Sequence, residues 1–461
     1  MSSTVIKGGT ILDRRGEQRA DVRIEGGVIT EVGAQLSGDV DLDAGGCIVS
    51  PGFVDLHVHL REPGREEAET VETGSRAAAR GGFTAIVAMP NTEPPHDSLS
   101  VIEMVRRLGE QAGMCEVLPS GCITIGRAGE ALAPLAELAA AGVRLFTDDG
   151  NGVQDPLLMR RAMEYGKNLG IVLAQHCEVS RLTEGAVMHE GGCCSRLGVP
   201  GWPSVAEELM VFRDIELSRL TGAPIHFLHL STAKSVDLVR GAKAEGLQVT
   251  AEAAPHHFTL TDESLSGFDP LFKVNPPLRE NADVAAVKRG LADGTIDAIA
   301  TDHAPHPPET KEMPLDQAPP GMLGLETALA LSISELGVDL QQVVALLSWQ
   351  PAAIAGVADR HGRDIEVGAP ANIAVFDPDL TWTVSAGSNT VMLAGAPGSI
   401  GRPWRLATPA ICAGRHDSSA TTSRSSRPSS LIDRASDVSR PSMPGGAWSS
   451  GISFSSGACG A

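Results

Sequence analysis

The sequence predicts an α/β fold, because strand-like and helical segments alternate through most of the chain. Three observations support this class. Short apolar runs recur between residues 83 and 300, segments of helical periodicity separate them, and glycine turns divide the first fifty residues into short β runs. Repeated βα units over roughly 300 residues indicate either a doubly wound sheet or a barrel.

The start of the chain is predicted to form a small β domain. Residues 22–24 and 28–32 flank a Gly-Gly turn, which is typical of a hairpin. Far along the chain, Ile373–Phe376 is again strand-like. We expect it to rejoin the N-terminal hairpin, because the two ends of a chain are often close together.

The middle of the chain contains six continuous apolar runs, which suit strands buried on both faces of a parallel sheet. They cover residues 83–88, 143–146, 171–174, 225–228, 247–252 and 296–300. Helical patterns lie between them, at residues 156–169, 205–220, 233–244 and 283–292. This alternation predicts consecutive βα units.

Composition and charge restrict the class of function. The 461 residues carry a formal net charge of −20, so we expect no nucleic-acid or anionic-membrane partner and a small-molecule substrate instead. No apolar run approaches the roughly 20 residues of a transmembrane helix, and the N-terminus does not resemble a secretory signal. The eight cysteines form no C-x-x-C pair. We therefore expect reduced thiols and a cytoplasmic protein.

The composition changes abruptly near residue 389. Residues 391–461 are rich in Ser, Arg, Gly and Pro and contain neither Lys nor Glu. This is typical of a disordered tail, and a reading-frame slip in a GC-rich gene would give the same composition. The expected division is a small β domain from residues 1–54 and 351–388, an α/β domain at 55–350, and the tail at 389–461.

Two histidines, His57 and His59, stand two residues apart at the end of a β-type run. Alternate residues of a strand project from the same face, so both imidazoles can point into one cavity and share a metal. Alone, such a pair is a weak signal. The pair indicates a metal site only if further ligand residues lie close to it in the fold.

Further ligand types recur at the ends of other strand-like runs, namely Asp148, Asp149, His176, His229 and Asp302. Catalytic groups of a (β/α)8 barrel come from the C-terminal ends of several strands, so these side chains would converge at the barrel mouth. Histidine and carboxylate ligands suit Zn²⁺, and a bridging carboxylate lets two ions sit together. The predicted architecture is a (β/α)8 TIM-like barrel with a small β-sandwich domain built from both chain ends. It would hold one or two Zn²⁺ ions, with two favoured.

Five segments carry more specific motifs: 55–64 (DLHVHLREPG), 89–92 (MPNT), 146–150 (FTDDG), 274–279 (VNPPLR) and 300–306 (ATDHAPH). Together they resemble type I dihydroorotases of the amidohydrolase superfamily, and the resemblance covers roughly residues 1–385. It implies a zinc-dependent, reversible cyclisation of N-carbamoyl-L-aspartate to L-dihydroorotate plus water, in de novo pyrimidine (UMP) biosynthesis. Members of this family close the small domain with strands after the region around Trp382. Here the tail replaces them, so residues 351–388 are expected to form an incomplete part.

The resemblance also implies roles for individual residues. Its metal ligands correspond to His57, His59, Asp149, His176, His229 and Asp302. Asp302 corresponds in addition to the catalytic acid/base. The substrate-binding positions correspond to His59, Leu60, Arg61, Asn91, Asn275, His306, Pro320 and Gly321. The planar guanidinium of Arg61 suits a substrate carboxylate.

The residues alone leave alternatives open for this substrate-binding set. Arg61 is also compatible with a surface ion pair, and His306 with a solvated loop histidine. Asn91 and Asn275 are compatible with turn positions beside threonine or proline. His226, three residues before a predicted ligand, is interpreted as a packing residue on the other face of its strand.

One absence bears on the substrate class. No lysine occurs between Lys7 and Lys167, so no carbamylated lysine can bridge two metals from the strand that ends near residue 146. This disfavours a hydantoinase- or allantoinase-like enzyme, the main alternative among cyclic amidohydrolases. Another alternative is a non-catalytic dihydroorotase-like partner of aspartate transcarbamoylase, which would be expected to lose metal ligands. The sequence leaves open a homo-oligomer and association of an active enzyme with that transcarbamoylase.

Residues 303–315 directly follow the predicted acid/base and contain four prolines with polar residues between them. We predict a mobile loop that closes over the substrate through His306.

Overall fold

The first fifty residues fold into seven short strands. In the computed structural model, which describes residues 2–381, they are β1 (Ser3–Lys7), β2 (Thr10–Asp13), β3 (Gly16–Arg19), β4 (Asp21–Glu25), β5 (Val28–Gly33), β6 (Val40–Asp43) and β7 (Ile48–Pro51). The tail predicted at residues 389–461 lies outside the described residues.

These strands belong to two four-stranded sheets. One has the order β5-β4-β1-β6, and its antiparallel β4–β5 pair is the predicted hairpin. The other contains β7, β2 and β3, with Ile373–Phe376 antiparallel to β7. The late strand itself therefore pairs with β7 and not with the hairpin as expected, whereas residues 368–371 just before it form three backbone hydrogen bonds with the hairpin at residues 27–29. All four residues of β7 are buried, whereas β5 is largely exposed. Pairing of the late strand with β7 therefore buries a more apolar neighbour than pairing with β5 would.

The remaining strands follow in chain order: β8 (Phe53–Val58), β9 (Phe83–Ala88), β10 (Glu116–Pro119), β11 (Leu145–Phe146), β12 (Val172–Gln175), β13 (Met188–His189), β14 (Gly201–Trp202), β15 (Ile225–Phe227), β16 (Val249–Ala253), β17 (Ala298–Ile299) and β18 (Ile373–Phe376). Eight of them are parallel, in sheets of order β10-β9-β8 and β11-β12-β15-β16-β17. Strands β13 and β14 form a separate pair.

The ladder between these eight strands is not a closed ring. At its two gaps, isolated parallel bridges join Val58 to His303 and Gly121 to Phe146. The predicted apolar runs lie on these strands, with ends shifted by at most two residues. Since the strands are parallel, their C-terminal ends lie at one edge of the sheet, where the predicted ligands are located.

Fourteen α-helices connect and cover the strands within residues 2–381: α1 (Val71–Arg80), α2 (Leu99–Ala112), α3 (Leu135–Ala140), α4 (Pro156–Lys167), α5 (Ser180–Thr183), α6 (Gly192–Leu197), α7 (Val205–Thr221), α8 (Ala233–Ala244), α9 (Pro255–Thr259), α10 (Asn281–Ala292), α11 (Pro308–Lys311), α12 (Ala328–Glu335), α13 (Leu340–Leu347) and α14 (Trp349–Ile354). Three 3₁₀ turns occupy Ile125–Arg127, Asp262–Leu265 and Pro270–Phe272. No helix in this part of the chain is both long and apolar enough for a membrane crossing.

Alternate strand residues serve two different cores. Leu56 and Leu145 belong to a buried cluster that also includes Ala352 from α14. Ile225 and Phe227 belong to a second cluster together with residues of α4 and α7. This division explains the continuous apolar runs, because both faces of each parallel strand are buried.

Candidate functional site

His57 and His59 lie at the C-terminal end of β8, where the pairing with β9 becomes irregular between Asp55 and Val58. Both imidazoles are buried, and their ring centroids are 5.2 Å apart. The Asp55 carboxylate accepts hydrogen bonds of 3.0 Å from the backbone N–H groups of His57 and Thr301. This contact holds the end of β8 beside the segment that carries Asp302.

His176 and His229 lie just after the ends of β12 and β15. Nδ1 of His176 is 3.0 Å from Nε2 of His229, and the His229 ring centroid is 5.0 Å from that of His57. His229 has a φ of 30° and Asp302 a φ of 48°, left-handed values that residues other than glycine rarely adopt. The chain thus turns sharply where a side chain enters the cluster.

Asp149 lies between the two histidine pairs. Its Oδ1 is 3.4 Å from Nε2 of His57 and 3.3 Å from Nδ1 of His176. The same oxygen is 3.7 Å from Nε2 of His229, and Oδ2 is 3.5 Å from Nε2 of His59. One carboxylate therefore faces all four imidazoles, which is the position that a bridging ligand requires.

Asp302 completes the cluster, with Oδ1 at 3.1 Å from Nε2 of His59 and 3.5 Å from Nε2 of His57. Burial raises the pKa of the Asp302 carboxyl, but the charge of His57 and the hydrogen bond from His59 outweigh it and hold the pKa well below its ordinary value. The pKa of Asp149 is lowered against burial in the same way, by His57 and His176. Both acids are therefore ionised at neutral pH.

Two groups of ligand atoms lie within 4.8 Å of one another and could each hold a metal ion. They are His57, Asp149 and His229, and His57, His59 and Asp302. Nε2 of His57 and Oδ1 of Asp149 are buried and have no hydrogen-bond partner among the described residues. Imidazole nitrogen and carboxylate oxygen are both donors that Zn²⁺ accepts. The donor set, its burial and the two unpartnered atoms fit a bound metal.

Glu252 holds two histidines inside the strands. Its Oε1 is 2.9 Å from Nδ1 of His57, and its Oε2 is 3.0 Å from Nε2 of His226. A proton on Nδ1 of His57, donated to Glu252, leaves Nε2 free to bind a metal. The packing interpretation of His226 is incomplete, because its ring links Glu252 to the Thr250 hydroxyl, 2.8 Å away.

Glu178 supports His176 in a similar manner. Its Oε2 is 3.0 Å from Nε2 of His176, and its other oxygen accepts a hydrogen bond from the Thr183 hydroxyl. The sequence reasoning missed both Glu178 and Glu252. The available signals were the position of Glu178 two residues after a predicted ligand and of Glu252 at the end of a strand-like run.

Asp148, the neighbour of Asp149, uses its carboxylate for the backbone. Its Oδ1 accepts hydrogen bonds from the N–H groups of Ile123, at 2.9 Å, and Thr124, at 3.0 Å. Its Oδ2 accepts the Thr124 hydroxyl. Asp148 therefore ties the end of β11 to the segment after β10, and Asp149 faces the histidines.

Arg61, His306 and Pro320 come together close to the cluster. Nη2 of Arg61 is 3.4 Å from Nε2 of His306, which lies 2.8 Å from the Pro320 carbonyl oxygen. Burial lowers the pKa of Arg61 to about 10, so the guanidinium is still charged at neutral pH. Within residues 2–381 it forms hydrogen bonds but no ion pair. Gly321 fits closely here, because a Cβ would lie 2.9 Å from Nε2 of His306.

The other predicted substrate residues are placed differently. Asn91 contacts the cluster directly, with Oδ1 at 2.9 Å from Nδ1 of His59. The Leu60 side chain is buried in the core, so only its backbone can face a substrate. Asn275 is half-buried, and no hydrogen bond within the described part of the chain joins it to the cluster.

The loop at residues 303–315 is anchored by two lysines. Nζ of Lys311 donates to the carbonyl oxygens of Lys273, Pro319 and Gly321 at 3.3, 3.0 and 3.1 Å. Nζ of Lys273 donates in turn to a backbone oxygen of the same loop at 2.7 Å. The loop therefore has defined contacts with the backbone around Gly321, one of the predicted substrate positions.

Known proteins resemble this chain over most of its length. The dihydro-orotase-like family model matches residues 46–235. A dihydroorotase of Mycobacterium leprae is 50% identical over 392 residues, which cover 83% of this chain and 90% of that relative. A dihydroorotase of Streptomyces coelicolor is 49% identical over 385 residues, covering 82% and 89% respectively.

Solved structures give the same architecture. An L-hydantoinase from Arthrobacter aurescens has a TM-score of 0.74 at 24% identity, covering 84% of this chain and 89% of that one. A D-hydantoinase from Thermus sp. has a TM-score of 0.71 at 27% identity, covering 84% and 88%. These likenesses establish the α/β barrel fold. The sequence relatives in turn show that the chain belongs to the dihydroorotase family of the amidohydrolase superfamily.

Proposed function

We propose that this chain catalyses the reversible cyclisation of N-carbamoyl-L-aspartate to L-dihydroorotate in pyrimidine biosynthesis. The observation that carries the proposal is the meeting of four imidazoles and two carboxylates from five strand ends, with the charged guanidinium of Arg61 nearby. A cyclic amide needs its carbonyl activated and its ring nitrogen protonated. A substrate carboxylate needs a positively charged side chain that is not already paired with an acidic residue, and Arg61 meets this condition within residues 2–381.

The cluster would hold two Zn²⁺ ions, and Asp149 would serve as a ligand of both. His57 and His59 would bind one ion and His176 and His229 the other, with Asp302 as a further ligand. The position of Asp149 among all four imidazoles supports two ions rather than one. When bound, Zn²⁺ supplies a Lewis acid for the substrate carbonyl and lowers the pKa of water to about 7.

Asp302 is the proposed acid/base. In the hydrolytic direction its carboxylate accepts a proton from the attacking water and gives it to the ring nitrogen as the C–N bond breaks. In ring closure it accepts the proton from that nitrogen and gives it to the departing hydroxyl, which leaves as water. The position of Asp302 among the ligand atoms supports this role, and its carboxylate is ionised when hydrolysis begins.

Substrate binding is proposed for His59, Leu60, Arg61, Asn91, Asn275, His306, Pro320 and Gly321. The Arg61 guanidinium would bind the substrate carboxylate, and its Nε is oriented by donating to the Pro305 carbonyl oxygen at 3.1 Å, beside His306. Asn91 keeps the His59 ring in place through Nδ1. The Pro320–Gly321 backbone lies beside His306 and could contact the ring of the substrate.

The proposal extends to the small domain and the location of the protein. We propose a β-sandwich built from both chain ends, supported by the pairing of β18 with β7. A cytoplasmic location is supported by the free state of all six cysteines in the described residues.

A substrate panel tests this function against a hydantoinase-like activity, the alternative raised by the similar fold of solved hydantoinases. L-dihydroorotate and 5,6-dihydrouracil share a ring and differ by the carboxylate that Arg61 would bind. We expect Arg61→Gln to lower kcat/KM for L-dihydroorotate about 100-fold, since a charged hydrogen bond contributes roughly 1.5–3 kcal/mol. Arg65→Gln, a change to an exposed neighbour, is the matched control. A wild-type preference for hydantoin, allantoin or 5,6-dihydrouracil would contradict the proposal.

A further inference from the structure

The motif at residues 274–279 ends on Arg279, to which the proposed function gives no role. The Arg279 side chain is 1% exposed, and arginine stays protonated in proteins, so a positive charge is buried here. Its Nη2 has no hydrogen-bond partner within residues 2–381 and lies 3.8 Å from Oε2 of Glu207. A buried charge is costly unless an opposite charge lies close to it. Arg279 and Glu207 therefore form an ion pair in the interior of the protein.

Glu207 lies in the first turn of α7 and is also 1% exposed. Its Oε1 accepts hydrogen bonds from the backbone N–H groups of Ser231, at 3.2 Å, and Thr232, at 3.1 Å. The Thr232 hydroxyl donates to the same oxygen at 3.1 Å, and the Ser231 hydroxyl donates to Oε2. One carboxylate thus accepts four hydrogen bonds from two consecutive residues.

These two residues belong to the turn that carries His229. The His229 backbone has a φ of 30°, and a residue other than glycine persists in this region only when surrounding contacts hold it there. The N–H group of the next residue donates to the Glu252 carbonyl oxygen at 2.9 Å, and the two N–H groups after it donate to Glu207. The Ser231 hydroxyl, which donates to Glu207, also accepts a hydrogen bond of 3.0 Å from Nε of Arg279. Both charges therefore contact the segment directly after His229.

We propose that Glu207 and Arg279 hold His229 in the position from which its imidazole binds a metal. They are positioning residues, since neither belongs to the six side chains of the cluster. The inference rests on the metal centre of the proposed function and extends it to the residues behind one ligand. Nε2 of His229 is 3.0 Å from Nδ1 of His176 and 3.7 Å from Oδ1 of Asp149. A shift of the turn would separate this nitrogen from the other ligand atoms, so loss of the ion pair should weaken the ion that His176 and His229 would share.

The first experiment measures the zinc affinity of Glu207→Gln by competition with a chromophoric chelator, using the metal-free full chain and no substrate. Glutamine keeps the shape of the side chain and removes its charge. We expect one of the two Zn²⁺ ions to bind roughly 10- to 100-fold more weakly, the usual effect of losing a residue that orients a ligand, and the other to stay within about twofold of wild type. Glu116→Gln is the control, because it makes the same chemical change at an acid on β10 that pairs with Arg360. It should lower Tm and leave both zinc affinities unchanged.

Unchanged zinc affinities in Glu207→Gln would overturn the proposal, because the ion pair would then stabilise the fold without positioning His229. Equal weakening of both ions would overturn it as well. A wild type that binds no zinc would refute the metal centre itself, and this inference with it, whereas the first two results appear only in the variant. Hydrolysis of L-dihydroorotate is not measured here, so a different substrate would contradict the proposed reaction and leave the inference about Glu207 intact.

A second variant covers the case in which Glu207→Gln does not fold, since it leaves the partner charge buried alone. Ser231→Ala removes only the hydroxyl between the two charged side chains and should weaken the same ion about fivefold, the contribution of one hydrogen bond. The effect should persist in a His59→Ala background and vanish in a His176→Ala background, which already impairs this ion. The opposite pattern would place the effect on the other ion and overturn the proposal. Ser195→Ala, which removes an exposed hydroxyl, is the control.

Discussion

Asp302 combines the properties that a proton carrier needs at this site. It lies 3.1 Å from Nε2 of His59, it is buried, and its carboxylate is ionised at neutral pH and so can accept a proton. Asp302→Asn keeps the size of the side chain but cannot accept the proton, so we expect kcat to fall by roughly 10³-fold or more. The measurement is L-dihydroorotate hydrolysis, with circular dichroism to confirm the fold.

The matched control is Asp293→Asn, which removes a carboxylate that pairs with Arg240 at the surface. It should leave turnover within about twofold, since surface ion pairs contribute little. Near-normal turnover in Asp302→Asn would remove this residue from the mechanism.

Glu252 is expected to position His57 rather than to touch the substrate. Its hydrogen bond to Nδ1 directs Nε2 of His57 toward the metal site. Glu252→Gln should weaken zinc binding roughly 10- to 100-fold, the usual effect of losing such a partner. Competition with a chromophoric chelator measures this affinity, and excess zinc should restore much of the turnover. Unchanged zinc affinity would show that His57 is oriented without Glu252. Glu245→Gln at the surface is the control.

At the scale of single residues, the sequence predicts the metal-ligand residues better than it predicts the residues that position them, such as Glu252. The ligands are histidines and aspartates directly after strand-like runs, so a local pattern finds them. Glu252 contacts His57 across 195 residues, and no local pattern encodes that pairing. The packing interpretation of His226 was incomplete for the same reason, because its ring contacts Thr250 and Glu252 of another strand.

Among the elements, the loop at residues 303–315 depends on Lys311 for its contact with the backbone near Gly321. Lys311→Met keeps the aliphatic stem and removes the three hydrogen bonds. We expect KM for L-dihydroorotate to rise roughly tenfold, about 1.4 kcal/mol, while zinc content stays constant. Steady-state kinetics and metal analysis on the same samples check this.

The control is Lys288→Met, since Lys288 pairs with Glu335 away from the site. Equal loss of zinc and of turnover in Lys311→Met would contradict the prediction that this loop closes over the substrate, because it would mean that the loop supports the metal centre instead.

Strand β10 is tied to the segment after α14 by an acid whose ionisation sets a pH dependence. Burial raises the pKa of Glu116, but hydrogen bonds from His361 and Arg360 outweigh this and lower it to about 2. A depressed pKa stabilises the fold above the ordinary value of 4.5, and this contribution is lost as the pH falls toward 2. Glu116→Gln should therefore lower Tm by about 2–4 °C at pH 7.

The same comparison at lower pH checks the sign. The difference in Tm between wild type and Glu116→Gln should shrink steadily below pH 4.5. A difference that grows as the solution becomes more acidic would exclude Glu116 as its source. Glu130→Gln, an exposed change with no described ion pair, should show no trend.

The sequence predicted which segments form helices and strands better than it predicted which strands pair with each other. Ala233–Ala244 and Phe83–Ala88 have the bounds that periodicity predicts. The run at 296–300 yields only Ala298–Ile299, since β17 lies at one of the two gaps in the ladder. The partner of β18 was missed because apolar character shows that a strand is buried but does not select its neighbour.

For the whole molecule, the alternation of βα units predicted a doubly wound sheet or a barrel, and the metal-ligand residues at several strand ends favoured the α/β barrel, which the solved structures confirm. Parallel strands then bring residues that are far apart in sequence to one edge, so the site follows from the fold. The completeness of the small domain does not follow, because residues 382–461 lie outside the described part of the chain.

The most direct test of this account is a zinc titration of the metal-free protein, followed by L-dihydroorotate hydrolysis and elemental analysis. We expect no turnover without metal and activity that rises to a plateau near two Zn²⁺ per chain. In Asp149→Asn the plateau should be lower in both metal content and activity. Full turnover in protein that contains no metal would contradict the central claim that these six side chains act through a bound metal.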